Sequence, residues 1–361
     1  MLMKRIVLNC NDCFAAYKFR LDLIKKLQEE YQIFVVAGFD EYTQLLKREK
    51  VNVITVDIDK TGVSLFKELK LFFTYKKILK KLMPDIIINY TIKPHLYATL
   101  AVKKKTKIIN VVTGMSLILT ENTILSRLVL MAYRFISHRV NHYVFLNADD
   151  YNSFVELRIL KKYHTIIRGE GVNLNNFNPY VDFTKPITFI FIGRLVKEKG
   201  IIEYLEAARL VKKRFPDVRF LIAGSFYRKK TMINRELIRR YEQEGIVKYL
   251  GYCYDINDVL RDVHCVVLPS YREGLPISLI EGLASKKIVI AANAVGSRDI
   301  VIDGYNGYLA NTQSSYDLAI KMEKYIFNSE KEAMHKNALF SAKQYDVNNS
   351  ISEMKRIIKG I

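Results

Sequence analysis

The sequence predicts an α/β protein made of two doubly wound domains, each with a parallel sheet covered by helices on both faces. The chain has 361 residues, the usual length of two domains. Short apolar runs rich in Val and Ile alternate with stretches of helical pattern along most of the chain. Strands that alternate with helices are typical of parallel sheets. We therefore expect two such sheets.

Eleven strands are predicted in chain order, six in the first half and five in the second. They cover residues 5–8, 33–36, 53–56, 86–89, 108–112 and 143–146, and then residues 187–192, 219–223, 247–250, 265–268 and 288–291. The alternation pauses at residues 169–179, which are rich in Gly, Asn and Pro. We expect an N-terminal domain over residues 1–170 and a second domain over residues 171–345. Ligands of open α/β sheets bind beyond the carboxyl ends of the strands, which predicts a site in a cleft between the domains.

The composition is that of a basic globular protein. It has 57 Lys+Arg against 37 Asp+Glu, a net charge of +20, with 50% hydrophobic residues, which excludes disorder, collagen and a disulfide miniprotein. Such a charge attracts nucleic acid, anionic lipid or phosphorylated small molecules without choosing among them. Only four cysteines are present, so a cytoplasmic, reducing location is expected.

Neither a signal peptide nor a spanning helix is predicted. The first nine residues contain too short an apolar run for a signal peptide. The most apolar window, residues 115–146, is interrupted by charged side chains and is interpreted as buried core helix. The protein is therefore expected to be soluble or peripheral.

The strand at residues 187–192 leads into a candidate diphosphate grip. Gly193 allows close approach of a ligand, while Arg194 and Lys199 supply cations at the start of a helix. The Gly-rich fingerprints of nucleoside triphosphate and dinucleotide sites are missing. Taken alone, an Arg and a Lys at the start of a helix are more often part of a solvated surface.

The strand at residues 265–268 leads into a second polar loop. Gly274 suits a tight turn and Pro276 suits the first helical turn, so the helix amides that follow are expected to bind an anion. Glu273 lies before the turn and Glu281 about two helical turns later. One carboxylate is placed to bind a sugar and the other a neighbouring pair of hydroxyls.

These motifs resemble glycosyltransferase family 4, a retaining nucleotide-sugar transferase family of the GT-B fold, whose Glu-x7-Glu motif matches Glu273 and Glu281. The resemblance extends to the loops at residues 193–200, 221–224, 250–252, 269–276 and 303–308 and to the linker at residues 171–179. It implies two Rossmann-like domains facing a cleft, and a C-terminal helix, residues 346–361, that crosses back to the first domain. First-domain residues 17–20, 89–95 and 113–114 are similar to members that build bacterial surface polysaccharides and lipid-linked oligosaccharides, such as hexosaminyl transferases acting on undecaprenyl-diphosphate sugars.

The resemblance also implies roles for the donor residues. Arg194 and Lys199 would hold the donor diphosphate, Glu273 the donor sugar and Glu281 the ribose, with Tyr252 and Cys253 near the base. Glu273, Arg194 and Lys199 are the catalytic candidates. The implied donor-binding set is Gly193, Arg194, Lys199, Gly224, Tyr252, Cys253, Glu273, Gly274, Leu275, Pro276 and Glu281.

The expected co-substrate is a nucleotide sugar, such as a uridine diphosphate sugar, and no metal or other cofactor is expected. The family usually works without metal, and Asp57-Ile58-Asp59, which has the Asp-x-Asp spacing, is interpreted as a solvated strand end. Retention leaves a covalent intermediate and front-face attack both open. Acceptor-side candidates are Arg20, Lys93, His95, Thr113 and Gly114, with His95 expected on a strand-end loop.

Residues 61–81 predict a basic amphipathic helix. Lys67, Lys70, Lys77 and Lys81 fall on one face, and Leu65, Leu69, Phe72 and Leu79 on another. The helix either lies on an anionic leaflet or packs its apolar face into the core. The expected partners are a nucleotide sugar, a lipid-linked saccharide and the cytoplasmic face of an anionic inner membrane; the oligomeric state is left open.

Two other patterns are interpreted as structural. Cys10 and Cys13 have a redox spacing without the usual neighbours of a redox pair. His138 and His142 would lie one turn apart on a helix, without a third metal ligand. The alternatives for function are an enzyme of the same fold with a soluble acceptor, and a nucleic-acid-binding protein, for which no binding motif is present.

Overall fold

The computed structural model describes residues 3–59, 64–114, 123–161, 163–226 and 233–361. The chain forms two compact units, Met1–Gly171 with Val347–Ile361, and Val172–Asp346. We call them unit 1 and unit 2. Each unit is a parallel sheet with helices packed on it, so the predicted fold class of two doubly wound α/β domains is confirmed.

Unit 1 contains a seven-stranded parallel sheet in the order β3-β2-β1-β4-β5-β6-β7. Its strands are β1 (Arg5–Asn9), β2 (Gln32–Gly38), β3 (Asn52–Val56), β4 (Ile86–Tyr90), β5 (Lys107–Val112), β6 (His142–Phe145) and β7 (Tyr163–Ile166). In this sheet β2 and β3 lie on one side of β1, and β4, β5, β6 and β7 follow one another on the other side. The order of the strands reverses between β1 and β4, which creates a topological switch point there.

Six helices connect these strands, and they form two groups. They are α1 (Cys13–Gln28), α2 (Tyr42–Arg48), α3 (Leu65–Leu82), α4 (Ile92–Ala101), α5 (Ile124–Ser137) and α6 (Ala148–Glu156). α1 packs against α2, and α4 packs against both α3 and α5. Every residue of β4 is buried, as expected for a central strand covered on both faces.

Unit 2 contains a six-stranded parallel sheet in the order β10-β9-β8-β11-β12-β13. Its strands are β8 (Thr188–Ile192), β9 (Arg219–Ala223), β10 (Lys248–Gly251), β11 (Cys265–Leu268), β12 (Ile288–Ala292) and β13 (Gly307–Ala310). Its helices are α7 (Ile201–Arg214), α8 (Arg235–Gln243), α9 (Ile256–Leu260), α10 (Ile277–Ala284), α11 (Ser315–Phe327) and α12 (Lys331–Ala342). The switch point of this sheet lies between β8 and β11.

The last helix, α13 (Val347–Gly360), belongs to unit 1 and packs against α1. Ile351, Met354 and Ile358 form its buried stripe at helical spacing. Lys359 adds a surface ion pair with Glu30 of unit 1 at 3.2 Å. An apolar stripe and surface charge thus hold the end of the chain on unit 1.

All eleven predicted strands are present. The sequence analysis did not predict β7 and β13, two four-residue strands at sheet edges. The interpretation of residues 115–146 as buried core helix was partly wrong. Residues 115–122 lie outside the described residues; the rest of the window forms α5, the turn after it and β6, and α5 buries one face and exposes the other. Within the described ranges, no helix is long and apolar enough to cross a bilayer.

Candidate active site

The predicted donor residues lie at one edge of the sheet in unit 2. β8 pairs in parallel with β9 and with β11, and β9 pairs with β10. The loops that follow these four strands therefore emerge at the same edge, on both sides of the switch point. Doubly wound proteins bind their ligands at such a point.

The loop after β8 carries Arg194 and a short 3₁₀ turn, Lys197–Lys199, that leads through Gly200 into α7. Arg194 is exposed. Gly200 has φ +73°, and a Cβ atom there would lie 2.1 Å from the carbonyl oxygen of Pro269. Only glycine allows the loops after β8 and β11 to pack backbone against backbone at this point.

The central contact of the site joins these two loops. Lys199 Nζ donates a hydrogen bond to Oε1 of Glu273 and forms an ion pair with it. The two side chains are 20% and 13% exposed, so they are shielded without being sealed from solvent. The backbone N–H of Glu273 donates to the carbonyl oxygen of Val295 at 3.0 Å. A cation and a carboxylate are thus fixed next to each other at the switch point.

The loop after β11 ends at the amino terminus of α10. Pro276 is the N-cap residue, one position earlier than the first-turn place that the sequence suggested. Proline has no side-chain oxygen that could cap the first-turn amides, and such amides favour an anion. Glu281 lies on α10 and is half-buried, while the adjacent Gly282 packs closely on Val266 of β11.

The loops after β9 and β10 form the other side of this edge. A Cβ atom on Gly224 would lie 1.8 Å from the carbonyl oxygen of Gly193, so the ends of β8 and β9 touch. Tyr249 Oη donates to the carbonyl oxygen of Gly224 at 2.8 Å. Tyr252 and Cys253 follow β10 and are half-buried, and burial raises the pKa of the Cys253 thiol.

Arg20, predicted on the acceptor side, lies inside unit 1. It is 4% exposed, its Nε lies 2.7 Å from a carboxylate oxygen of Glu170, and its guanidinium lies 3.9 Å from the ring centre of Tyr90. Its Nη1 also donates to the carbonyl oxygen of Ala15 at 3.0 Å. The expectation that Arg20 contacts the acceptor is not met, because its donors are directed at protein groups.

His95 is also internal, and it lies in the first turns of α4 rather than on a loop. It is 2% exposed; Nδ1 lies 2.9 Å from Tyr133 Oη and Nε2 lies 3.1 Å from the carbonyl oxygen of Val111. Burial lowers the pKa of His95 to about 4, so it is neutral at pH 7. The prediction that it contacts the acceptor is contradicted by this burial.

The other three acceptor-side candidates lie nearer to solvent. Lys93 is 18% exposed and forms an ion pair with Glu68 at 2.5 Å. Thr113 and Gly114 directly follow β5 and are half-buried. These three remain candidates.

The switch point of unit 1 contains two residues that the sequence analysis missed. Thr91 follows β4 and has φ +70°, an uncommon conformation for a non-glycine residue. Its Oγ1 donates to Oδ1 of Asn11, which follows β1, at 2.7 Å. Strained backbone often occurs at functional sites. Polar residues directly after two adjacent strands were the signal that could have identified them.

Buried asparagines fix the three strands beneath this switch point. Asn9 on β1 donates to Asn89 on β4 at 2.7 Å, and Asn89 donates to Asn110 on β5 at 2.9 Å. All three are fully buried. Hydrogen bonds between buried polar groups specify register because each unpaired group would be costly.

The predicted lysine face of α3 is exposed, but the predicted apolar face was partly wrong. Lys70, Lys77 and Lys81 are exposed, and Lys67, also exposed, forms an ion pair with Asp59 at 3.0 Å. The buried stripe is Glu68, Leu71, Tyr75 and Leu79. Leu65 and Leu69 instead point outward, with 78% and 50% of their surface exposed.

The two other patterns are consistent with their structural interpretation. Cys10 and Cys13 are buried thiols, and burial raises the pKa of Cys10 to about 12, which agrees with a structural role. His138 and His142 do not share a helix, because α5 ends at Ser137 and His142 begins β6. In the part of the chain that the structure describes, no group of three or more His, Cys, Asp or Glu could hold a metal ion.

Two family models match the chain, one in each unit. The model described as glycosyl transferases group 1 matches residues 174–339, and the model described as glycosyl transferase 4-like matches residues 11–144. The first covers the switch point of unit 2 with Lys199 and Glu273. The second covers the switch point of unit 1.

Similar proteins and a solved structure agree with the family models. The chain is 28% identical, over 92% of both chains, to the N,N'-diacetylbacillosaminyl-diphospho-undecaprenol alpha-1,3-N-acetylgalactosaminyltransferase of Campylobacter jejuni. It is 23% identical, over 69% of this chain and 68% of the other, to the Escherichia coli UDP-Gal:alpha-D-GlcNAc-diphosphoundecaprenol alpha-1,3-galactosyltransferase. The crystal structure of Anabaena HepE with UDP and glucose covers 99% of this chain and 100% of that one, with a TM-score of 0.80 and 17% identity.

Proposed function

Because the chain belongs to the group 1 glycosyl transferases, we propose that it transfers a sugar from a uridine diphosphate sugar to a saccharide carried on undecaprenyl diphosphate, with retention of anomeric configuration. Two relatives are named as transferases that act on diphospho-undecaprenol saccharides, and one of them is named for UDP-Gal. This similarity supports both the donor class and the acceptor class.

The observation that carries the proposal is the ion pair between Lys199 and Glu273 at the switch point of unit 2. When the bond between sugar and diphosphate breaks, negative charge grows on the departing phosphate. Lys199 and Arg194, in the loop after β8, would be the cations that stabilise it, and preorganised charge of this kind lowers the barrier. Glu273, held against Lys199, would orient the sugar hydroxyls from the same position.

The roles of the remaining donor residues are inferred from their position at the same edge of the sheet. The amides of Gly274 and Leu275 precede α10 and would hydrogen-bond the sugar and phosphate oxygens. Glu281 on α10 would bind the ribose hydroxyls. Tyr252 and Cys253, after β10, would contact the base. In this proposal the chain's own cations, without a metal, neutralise the diphosphate.

Unit 1 would bind the acceptor, with Lys93, Thr113 and Gly114 on its side of the reaction. The exposed lysines of α3, Lys70, Lys77 and Lys81, would hold the enzyme on the anionic cytoplasmic face of the inner membrane. Each cation near such a surface contributes about 1 kcal/mol. A lipid-linked acceptor resides at that surface, so docking would bring the enzyme to its substrate.

A transfer assay with two kinds of acceptor tests the proposal. Nucleotide sugars are first screened for binding by thermal shift, and the ones that bind are assayed with undecaprenyl-diphosphate saccharides in vesicles and with free saccharides in solution. We expect transfer to the lipid-linked acceptor, with the donor's anomeric configuration in the product. Transfer to free saccharides alone would support a soluble acceptor, and the absence of transfer from every donor would refute the proposal.

The lysine face of α3 provides a second test, which concerns membrane docking. It consists of Lys67, Lys70, Lys77 and Lys81. Replacing all four with glutamine should weaken flotation with anionic liposomes and leave flotation with neutral liposomes unchanged. The same number of changes at Lys212, Lys213, Lys321 and Lys324 of unit 2 is the control for net charge. Equal loss in both variants would show that total charge, rather than α3, attracts the membrane.

A further inference from the structure

Helix α5 carries an apolar stripe on its solvent side. Ile124, Leu128, Met131 and Phe135 recur at i, i+4, i+7 and i+11, and they are 79%, 55%, 61% and 68% exposed. This spacing places them on one face of an α-helix. Single exposed apolar residues are ordinary, whereas a continuous stripe of large ones is not.

The orientation of α5 is fixed by its other side. Tyr133 and Ile136 are buried in the core of unit 1, and Thr123 caps the helix by accepting a hydrogen bond from the amide of Ser126 at 3.1 Å. The helix cannot turn its apolar stripe inward without exposing these residues. The exposed stripe is therefore a stable property of the folded unit.

The stripe belongs to a larger surface formed by α3, α4 and α5, which we call the outer surface. On α3, the exposed apolar residues are Leu65, Phe66, Leu69 and Phe73. On α4, which packs against both other helices, Leu100 is 37% exposed. Apolar residues thus occur on all three helices of one layer of unit 1.

The charge of these helices indicates what covers the surface. Together α3, α4 and α5 contain nine basic residues and one acidic residue. The acidic one, Glu68, is buried and forms its ion pair with Lys93. Large apolar side chains surrounded by cations match an anionic lipid surface, in which the acyl boundary receives the apolar groups and the headgroups receive the cations.

We propose that the outer face of α5, with the exposed residues Leu65, Phe66, Leu69 and Phe73 of α3, inserts into the acyl boundary of an anionic bilayer. The proposal rests on the proposed function only in placing unit 1 at a membrane, and it adds an inserted apolar face to the electrostatic contact. A second copy of this chain is a poorer match, because a symmetric interface would bring the same cations of both copies together.

The absence of tryptophan from the chain allows a direct test. In Phe135→Trp the single indole reports from α5, and in Phe340→Trp it reports from α12 of unit 2, where Phe340 is also exposed, at 64%. Vesicles of phosphatidylethanolamine and phosphatidylglycerol are added, with or without bromine on the acyl chains. We expect a blue shift and quenching by the brominated chains for Phe135→Trp, and neither for Phe340→Trp.

Two outcomes would overturn the proposal. Emission of Phe135→Trp that stays unshifted on vesicles to which the protein is bound would show that α5 remains in water. A blue shift without vesicles, together with twice the monomer mass in sedimentation, would identify a second copy as the occupant. Transfer by the wild-type enzyme to a short-chain, water-soluble acceptor tests the proposed function separately, so failure of that function leaves the fluorescence result valid.

A paired substitution measures how strongly the apolar stripe of α5 contributes to membrane binding. Leu128→Asp with Met131→Asp should weaken partitioning to the same vesicles at least about tenfold, because each apolar group removed from the interface reduces binding. Ile320→Asp with Phe327→Asp on α11 makes an equivalent change at exposed positions of unit 2 and should leave partitioning within about twofold. Equal partitioning of both variants would contradict insertion of α5. Circular dichroism establishes that each variant is folded.

Discussion

Lys199 donates a hydrogen bond to Glu273, and this ion pair connects the loops that follow two adjacent parallel strands of unit 2. The residues are 74 positions apart in the chain. In the proposed mechanism Lys199 binds the diphosphate and Glu273 binds the donor sugar. The bond that breaks joins the sugar to the diphosphate, so it would lie between the two side chains. The pair keeps both side chains in place before the donor arrives, which reduces the ordering that donor binding requires.

Glu281→Gln should weaken donor binding with little effect on the acceptor. The substitution removes the charge that we assign to the ribose hydroxyls, and a hydrogen bond to a charged group contributes about 1.5–3 kcal/mol. We expect KM for the nucleotide sugar to rise about tenfold to a hundredfold. Glu236→Gln, at a position on α8 that is 67% exposed, is the control. An unchanged donor KM would exclude Glu281 from the donor site.

Gly200→Ala should destabilise unit 2 more than Gly245→Ala. Both glycines have φ near +70°, so both substitutions introduce the same backbone strain, of about 1–2 kcal/mol. At Gly245 an added Cβ has open space within 4 Å, whereas at Gly200 it would lie 2.1 Å from the carbonyl oxygen of Pro269. Thermal unfolding should give a clearly larger loss of Tm for Gly200→Ala. Equal losses would mean that the two loops separate easily.

The stability of unit 2 should fall as the pH is lowered from 6.5 to 4. His335 is fully buried between Tyr325 Oη, 2.9 Å from Nε2, and the carbonyl oxygen of Lys286, 2.7 Å from Nδ1. Burial lowers the pKa of His335 from 6.5 to about 4. Between these values the unfolded chain binds the proton and the folded unit does not, so stability is complete above pH 6.5 and decreases by about 3 kcal/mol at pH 4.

Urea unfolding at a series of pH values measures this effect. His335→Gln should be less stable at pH 7, because the fit of the ring is lost, and should show a shallower decrease from pH 6.5 to 4 than the wild type. His138→Gln, at an exposed position, is the control for a change in the number of histidines. A wild-type slope in His335→Gln would assign the acid sensitivity to other groups.

Substitutions at Arg20 and Glu170 should change the stability of the fold and leave acceptor binding unchanged. Arg20→Met leaves the carboxylate of Glu170 without its buried partner, and breaking such a pair costs about 3–5 kcal/mol. Adding Glu170→Gln removes the unpaired charge and should recover part of the loss. The acceptor KM of the folded fraction should stay unchanged. A raised acceptor KM with an unchanged Tm would restore Arg20 to the acceptor side.

The sequence was sufficient for the central strands of the two sheets because these strands are buried on both faces. β12 is a continuous apolar run, and β4 is one apart from Asn89; such runs can be recognised without their neighbours. β7 is different: it is a four-residue edge strand in which Tyr163, His164 and Ile166 are exposed. An edge strand has no such pattern, since its partner on one side supplies most of its interactions.

The errors in the site came from contacts between distant residues. Arg20 has the appearance of a ligand-binding residue in the sequence, and its partner Glu170 lies 150 positions later. On α3, Leu and Phe residues occur on two faces, and only the position of the sheet decides that Leu71 and Tyr75 are buried while Leu65 and Leu69 are not. The position of the candidate donor loops at one edge of the sheet could be predicted because each loop follows a strand whose pattern is local.

Transfer by Lys199→Met tests the central claim most directly. Lys197→Met is the matched control, since Lys197 is exposed and lies in the same 3₁₀ turn. With a saturating uridine diphosphate sugar and an undecaprenyl-diphosphate saccharide in vesicles, we expect kcat of Lys199→Met to fall about 10²–10³-fold, the typical effect of losing one preorganised charge-stabilising contact. Lys197→Met should remain within about twofold of the wild type. Equal kcat for Lys199→Met and the wild type would contradict the assignment of this edge of unit 2 as the site of sugar transfer.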